Sequence, residues 1–256
     1  TLTVYGSRPD LRDVLFVAVS QSGTSPDLVD SLTAARDCGA LTVAVTNDPS
    51  AQLAQAAHEV VDVRAGVERA VAATKTYTTE LLALRLLFAG AEGTAAVADA
   101  AAATLADEAG VAAAQRYRYA ERLITTARGY SYPTAREAAL KLMETSYVSA
   151  QAFSAADLLH GPLAMIDSGI PVIAVVSPGR GGEAMTAALD RLQETGANVL
   201  RVGPSADVPI VADGVAEDLL PILEILPLQQ LAWRLALDRG TDPDRPRGLA
   251  KATSTW

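Results

Sequence analysis

The 256-residue sequence has one cysteine, two histidines and few aromatic side chains. A lone Cys38 excludes a disulfide within the chain and fits a reducing cytoplasm. It stands just before Gly39, at what reads as a helix C-terminus, and is expected to be a buried, inert thiol. No apolar run reaches the length of a membrane span and no signal-peptide pattern opens the chain, so a soluble cytoplasmic protein is expected. Basic residues are in the minority: 21 Lys and Arg against 30 Asp and Glu give a net charge of −9. That balance argues against nucleic acid or an anionic membrane as partner. An acidic chain still binds an anion where local donors hold it. GxxxxGKS and GxGxxG are both missing, so neither a nucleoside triphosphate nor a dinucleotide is expected. The first residue is Thr1 and the first methionine Met143, from which a longer gene product is expected.

Half of the residues are apolar, enough to bury the core of one or two α/β domains. The most informative passage is VLFVAVSQSGTSPD, Val14 to Asp27. An apolar, β-branched run stops at Ser20-Gln21-Ser22-Gly23-Thr24-Ser25, and a helical stretch begins at about Pro26. A buried strand that ends in a hydroxyl-rich turn and enters a helix makes an anion site, because N–H groups at the helix start are unpaired and the dipole favours negative charge. Phosphate is the obvious ligand. An ordinary N-cap and turn is the bland alternative, and the density of neutral donors speaks against it.

The chain also repeats itself. VLFVAVSQSGTSPDLVDSLTAARDCGALTVAVT lies without a gap over PVIAVVSPGRGGEAMTAALDRLQETGANVLRVG, so that Ser20 falls on Ser177 and Gly39 on Gly196. Each copy reads strand, polar loop, amphipathic helix, glycine cap, strand, which is a βαβ unit. The expected fold class is therefore α/β, with two doubly wound domains, each a parallel sheet flanked by helices. Residues 1–90 form the first domain, 91–118 an alanine-rich helical connection, 119–240 the second domain and 241–256 an irregular tail. VSAQAFSA before the second copy has a counterpart in Leu2–Tyr5, also expected to be a strand, whereas the strand and helix before VSAQAFSA have none. The first domain is expected to lack its opening strand and helix.

The second copy replaces the hydroxyl loop by Ser177-Pro178-Gly179-Arg180, so one phosphate site per chain is expected. Over Ala135–Ser146, helical spacing puts Ala135, Ala138, Ala139, Leu142 and Met143 on one face, and Glu137, Lys141 and Glu144 on another. On composition alone the charged stripe reads as solvated, with a Glu-to-Lys pair worth about 0.3 kcal/mol. His160 sits in a Gly-Pro turn after a strand, where function tends to lie, while His58 on a helix end reads as structural. A carboxylate, an imidazole and a bound phosphate together suit proton transfer on a phosphorylated substrate.

SQSGTSPD, ATKTYTTE (73–80), ARGYSYPTAREAALKLMETSY, DLLHGPLAMID and DPDRPRGLAKATS occur in an order and spacing that resemble the tandem sugar isomerase (SIS) domain family, over essentially the whole chain. The likeness is strongest to its amino-sugar-phosphate synthases. It implies five-stranded parallel sheets and a homodimer whose active sites are shared between subunits. It also implies that Ser20, Gln21, Ser22 and Ser25 hold the sugar phosphate and that Val71 and Ala73 border the sugar. Glu144 would move a proton between C1 and C2, His160 of a neighbouring subunit would open the ring, and Glu137 and Lys141 would line the sugar. Lys251 would arrive on a tail that closes over the substrate. No cofactor or metal is expected, since Glu144 and Lys141 handle the charge. The sequence departs from the family at Ala73, usually serine, at Thr24, usually glutamate, and at Met143, usually lysine. A loop of Gly-Thr-Ser type is expected in the missing segment. Cys38 lies mid-domain and cannot serve as an N-terminal glutaminase nucleophile. The resemblance thus implies an isomerase or deaminase acting on an amino-sugar 6-phosphate, with glucosamine 6-phosphate foremost. The isomerase half of a glutamine–fructose-6-phosphate aminotransferase and a sugar-phosphate-sensing protein are the alternatives.

Overall fold

A computed structural model describes residues 2–251, which divide into two compact units, residues 2–88 with 247–251, and residues 89–246. The first contains β1 (Leu15–Ser20), α1 (Pro26–Asp37), β2 (Leu41–Thr46), α2 (Gln52–Ala56), β3 (Glu59–Asp62) and most of α3 (Lys75–Ala89). The strands run parallel in the order β1-β2-β3, with Leu15 opposite Leu41 and Val43 opposite Glu59. β2 is central, and its side chains alternate between two covered faces, as a parallel strand requires. Ala44 packs with Leu32 of α1 and Leu53 of α2, while Val43 and Val45 meet Ala83 of α3. His58 is structural, as expected: its Nδ1 accepts the Thr42 N–H at 3.1 Å and lies 2.9 Å from the Thr42 hydroxyl. Cys38, at the C-cap of α1, is half-buried rather than buried.

Leu2–Tyr5 is a turn and not the expected strand. Its backbone is satisfied locally: the Gly6 N–H donates to Thr3 O and the Arg8 guanidinium to Leu2 O, both within seven residues of chain. The first sheet therefore has three strands among the described residues, not five, and β1 is an edge whose Leu15 is 46% exposed.

The second unit holds α4 (Val97–Ala106), α5 (Ala109–Ala113), β4 (Arg122–Ala127), α6 (Tyr132–Ser146), β5 (Ser149–Ser154), α7 (Ala155–Leu159), β6 (Val172–Val175), α8 (Arg180–Glu183), α9 (Thr186–Glu194), β7 (Val199–Gly203), β8 (Val208–Pro209) and α10 (Leu220–Asp238). Its five parallel strands run β5-β4-β6-β7-β8. β6 matches β1 in the repeat but has a neighbour on each side and is wholly buried. α6 lies between the sheet and α10. Its buried residues include Ala135, Ala138, Ala139 and Leu142 of the expected face, together with Thr134, Lys141, Thr145 and Ser146. Met143, the fifth residue of that face, is instead 41% exposed, and Lys141 from the charged stripe is buried. No helix among the described residues is long and apolar enough to cross a membrane.

Candidate functional site

At the carboxyl end of β1, where parallel sheets bind ligands, the half-buried loop Ser20–Ser25 is folded back on itself. Ser20 Oγ accepts the Gly23 N–H at 3.2 Å, and Ser22 Oγ accepts from the Thr24 N–H and hydroxyl at 3.3 and 3.0 Å. Thr24, a departure from the family, thus steadies Ser22. Gly23 has φ +62°, and a Cβ there would lie 2.7 Å from the Ala51 Cβ, so conformation and space both call for glycine. Its carbonyl accepts the Leu53 N–H, which ties the loop to α2. Ser25 caps α1 through its carbonyl, which takes the Leu28 and Val29 N–H groups, and its hydroxyl makes no capping bond.

A second loop of the same unit, residues 67–74, leads into α3. Val71 and Ala73 are half-buried around a buried Ala72. Glu68 Oε2 accepts the Thr76 N–H at 2.8 Å, the Thr76 hydroxyl at 3.0 Å and the Thr74 N–H at 3.3 Å. The Lys251 ammonium donates to the carbonyls of Glu68 and Ala70, the latter at 2.6 Å. Lys251 therefore sits beside Val71–Ala73 within this unit. Ala252–Trp256 of the expected lid lie outside the described residues. Thr241, where the expected tail begins, is tied to the second unit, its hydroxyl donating to Thr145 O at 2.7 Å.

In the second unit, Lys141 stands between two carboxylates, 3.1 Å from Glu137 and 2.9 Å from Glu144. The stripe is not solvated: the three side chains are 7%, 12% and 21% exposed. α6 packs against both sheet and α10, so its charged face is largely enclosed. Burial lowers the Lys141 pKa, but the two carboxylates more than offset it and the net shift is upward. Burial raises the Glu137 pKa despite Lys141. One ammonium thus holds two acidic groups, and burial pushes Glu137 towards the protonated form. His160, at the C-cap of α7, is exposed and donates its N–H to Asp157 O at 3.1 Å.

Three carboxylates of consequence were not singled out by sequence reasoning. Glu68 is the first. Glu217 accepts the N–H groups of Arg180 and Gly181 at 3.2 and 2.8 Å, in the loop that repeats Ser20–Ser25. Glu224 is fully buried on α10 and accepts from Ser131 Oγ at 2.7 Å and Thr134 Oγ1 at 2.9 Å. An acidic residue inside the apolar run LPILEILPL was the available signal for Glu224. Among the described residues, no group of His, Cys, Asp and Glu side chains could hold a metal ion.

Comparison with known proteins agrees with this architecture. The chain is 36% identical to the glutamine–fructose-6-phosphate aminotransferase [isomerizing] of Pyrobaculum aerophilum, over 95% of its own length and 44% of the relative's. It thus spans less than half the length of the curated relatives it matches. The C-terminal domain of glucosamine-fructose-6-phosphate aminotransferase from Francisella tularensis superposes with a TM-score of 0.82 at 28% identity, over 92% of this chain and 74% of that one. Glucosamine-6-phosphate deaminase from Thermotoga maritima has the same fold, with a TM-score of 0.82 at 21% identity over 99% and 79% of the two chains. The SIS domain model matches residues 11–90 and 117–218, and the chain belongs to the SIS domain family.

Proposed function

We propose that the chain is a phosphosugar enzyme that transfers a proton between C1 and C2 of an amino-sugar 6-phosphate, glucosamine 6-phosphate foremost, and releases ammonia. The observation that carries this reading is the enclosed Glu137–Lys141–Glu144 cluster. A buried carboxylate held by an ammonium is a base in a low-dielectric setting, and a purely structural helix face has no need of one. Ser20, Gln21, Ser22 and Ser25 anchor the phosphate through neutral donors. His160, supplied by a second copy of the chain, assists ring opening. Glu144 takes the C2 proton of the open-chain aldehyde and returns it to C1 through an enolamine, and Lys141 offsets the negative charge that develops. The resulting C2 imine adds water, ammonia leaves, and fructose 6-phosphate remains. Val71, Ala73 and Glu137 border the sugar, and Lys251 adds positive charge beside it.

The decisive measurement follows ammonia and ketose together after glucosamine 6-phosphate is added to the purified chain. Equal release of both supports the reading. Tight binding with no product leaves a sensing module instead. Mixing inactive Glu144→Gln chains with inactive His160→Ala chains tests the sharing of sites, since hybrid dimers then contain one intact site and recover activity. The 36% identity to aminotransferases favours a second reading, the isomerase half of such an enzyme. A glutaminase region in the full gene product would decide for it.

A further inference from the structure

Glu68 has no part in the reaction proposed above, yet it joins two things that do. Its carboxylate is spent on the chain itself. Three donors from Thr74 and Thr76 converge on a single oxygen, Oε2, and Thr76 is fully buried at the start of α3. The intervening segment, Arg69–Ala73, contains the residues expected to border the sugar, and it has no ladder or helix bonds to hold it. The main-chain carbonyls of Glu68 and Ala70 both accept from the Lys251 ammonium. At the loop's other edge the Lys75 ammonium donates to Val67 O at 2.8 Å.

Two carbonyls two residues apart converge on one cation only if the backbone between them is fixed. An irregular loop would otherwise lose that arrangement to conformational entropy. We propose that Glu68 is a positioning residue: by clamping the 69–73 loop to the first turn of α3, it holds a two-carbonyl seat that fixes the Lys251 ammonium beside Val71–Ala73. The seat is built from neutral carbonyls, which orient an ammonium through hydrogen bonds and leave its charge intact. The Glu68 carboxylate also acts at a distance. Burial pulls the Lys251 pKa down, and the Glu68 charge opposes that pull. The role assigned to Lys251 rests on the function proposed above, whereas the seat itself does not.

The test uses the full chain with Glu68→Ala and Glu68→Gln. The sequence has three lysines, Lys75, Lys141 and Lys251, so acylation by an amine-reactive ester is read at each by mass spectrometry, with Lys141 as the internal reference. Glu68→Ala should speed acylation of Lys251 about 10-fold, while Glu68→Gln, which still accepts from Thr76, should change it less than about 3-fold. With glucosamine 6-phosphate, Glu68→Ala should lower kcat about 10-fold with KM nearly unchanged, and the glutamine variant should restore most of it. Unchanged Lys251 labelling in a folded Glu68→Ala chain overturns the seat. Faster labelling with kcat unchanged overturns the positioning role. Should Glu68→Ala fail to fold, Thr76→Val removes one donor from the clamp and must move both readouts in the same direction, or the proposal falls. Should the unmodified chain turn over no sugar, the functional reading fails, and labelling alone still decides whether Glu68 holds Lys251.

Discussion

Two loops of this molecule occupy matching places in the repeat and differ in what their donors meet. Ser20–Ser25 and Ser177–Gly182 each follow a parallel strand and lead towards a helix, and Ser20 lies on Ser177 in the gapless alignment. In the second loop the Arg180 and Gly181 N–H groups already have an anion, the carboxylate of Glu217. Gly179, at φ +104°, gives Glu217 its room, since a Cβ there would fall 2.3 Å from the carboxylate. Among the described residues, no acidic side chain is hydrogen-bonded to Ser20–Ser25, whose hydroxyls bond only within the loop. The backbones have diverged as well: α1 begins six residues after Ser20, whereas α8 begins three residues after Ser177. A side chain of the chain itself satisfies the second copy, and no such side chain fills the first among the described residues. The unit with the filled loop is also the one that carries Glu137, Lys141 and Glu144, so under the proposed function one unit binds phosphate and the other transfers the proton.

The largest effect expected from that division is on turnover. Glu144→Gln preserves the shape of the Lys141 cluster and removes the base, so turnover of glucosamine 6-phosphate should fall at least ~10²-fold while sugar binding persists. Steady-state kinetics beside calorimetric titration checks both halves of the statement. A full-rate variant would move the base elsewhere, with Glu137 next in line. The converse holds for the open loop. Ser20→Ala or Ser22→Ala removes a donor to a charged acceptor and should weaken binding by about 1.5–3 kcal/mol. If neither variant weakens binding in the same titration, the phosphate does not lie on this loop.

Much of this comparison could be read from sequence alone, and the unread part has a physical cause. The repeat, the parallel sheets and the start of α1 at Pro26 follow from period, β-branching and loop chemistry, which are local properties. Leu2–Tyr5 was misread because four residues resembling a strand carry no information on whether a neighbour exists to pair with them. Lys141 was misread because helical spacing gives the relative angles of side chains but not which arc is covered. That depends on α10, about eighty residues further on. Glu217 and Glu224 act on partners 36 to 93 residues away, and no local pattern marks such a pairing.

The filled loop can be opened on purpose. Glu217→Ala leaves the Arg180 and Gly181 N–H groups without their acceptor. Glu217 is only half-buried, so the expected loss of stability is modest, about 1 kcal/mol. Phosphosugar affinity should not change. Ser22→Ala should lower affinity, and the loss of the acceptor for the Thr24 donors should lower the melting temperature only slightly. A Glu217→Ala chain that binds glucosamine 6-phosphate as poorly as Ser22→Ala would erase the distinction between the two loops.

The smallest effect concerns Glu224 and appears only against pH. Burial raises its pKa above the ordinary 4.5, the hydroxyls of Ser177, Ser131 and Thr134 pull it down, and the Glu217 charge adds to the upward push. The folded chain therefore holds this proton more tightly than the unfolded chain does. The stability contributed by Glu224 is fully present below pH 4.5 and is lost as pH rises through the higher native value. Glu224→Gln does not titrate; its amide oxygen accepts from one of the Ser131 and Thr134 hydroxyls and its NH2 donates to the other. Its advantage over the parent should be negligible near pH 4 and grow as pH rises towards 8. Melting curves of parent and variant that run parallel across that range would mean that Glu224 enters the fold already ionised.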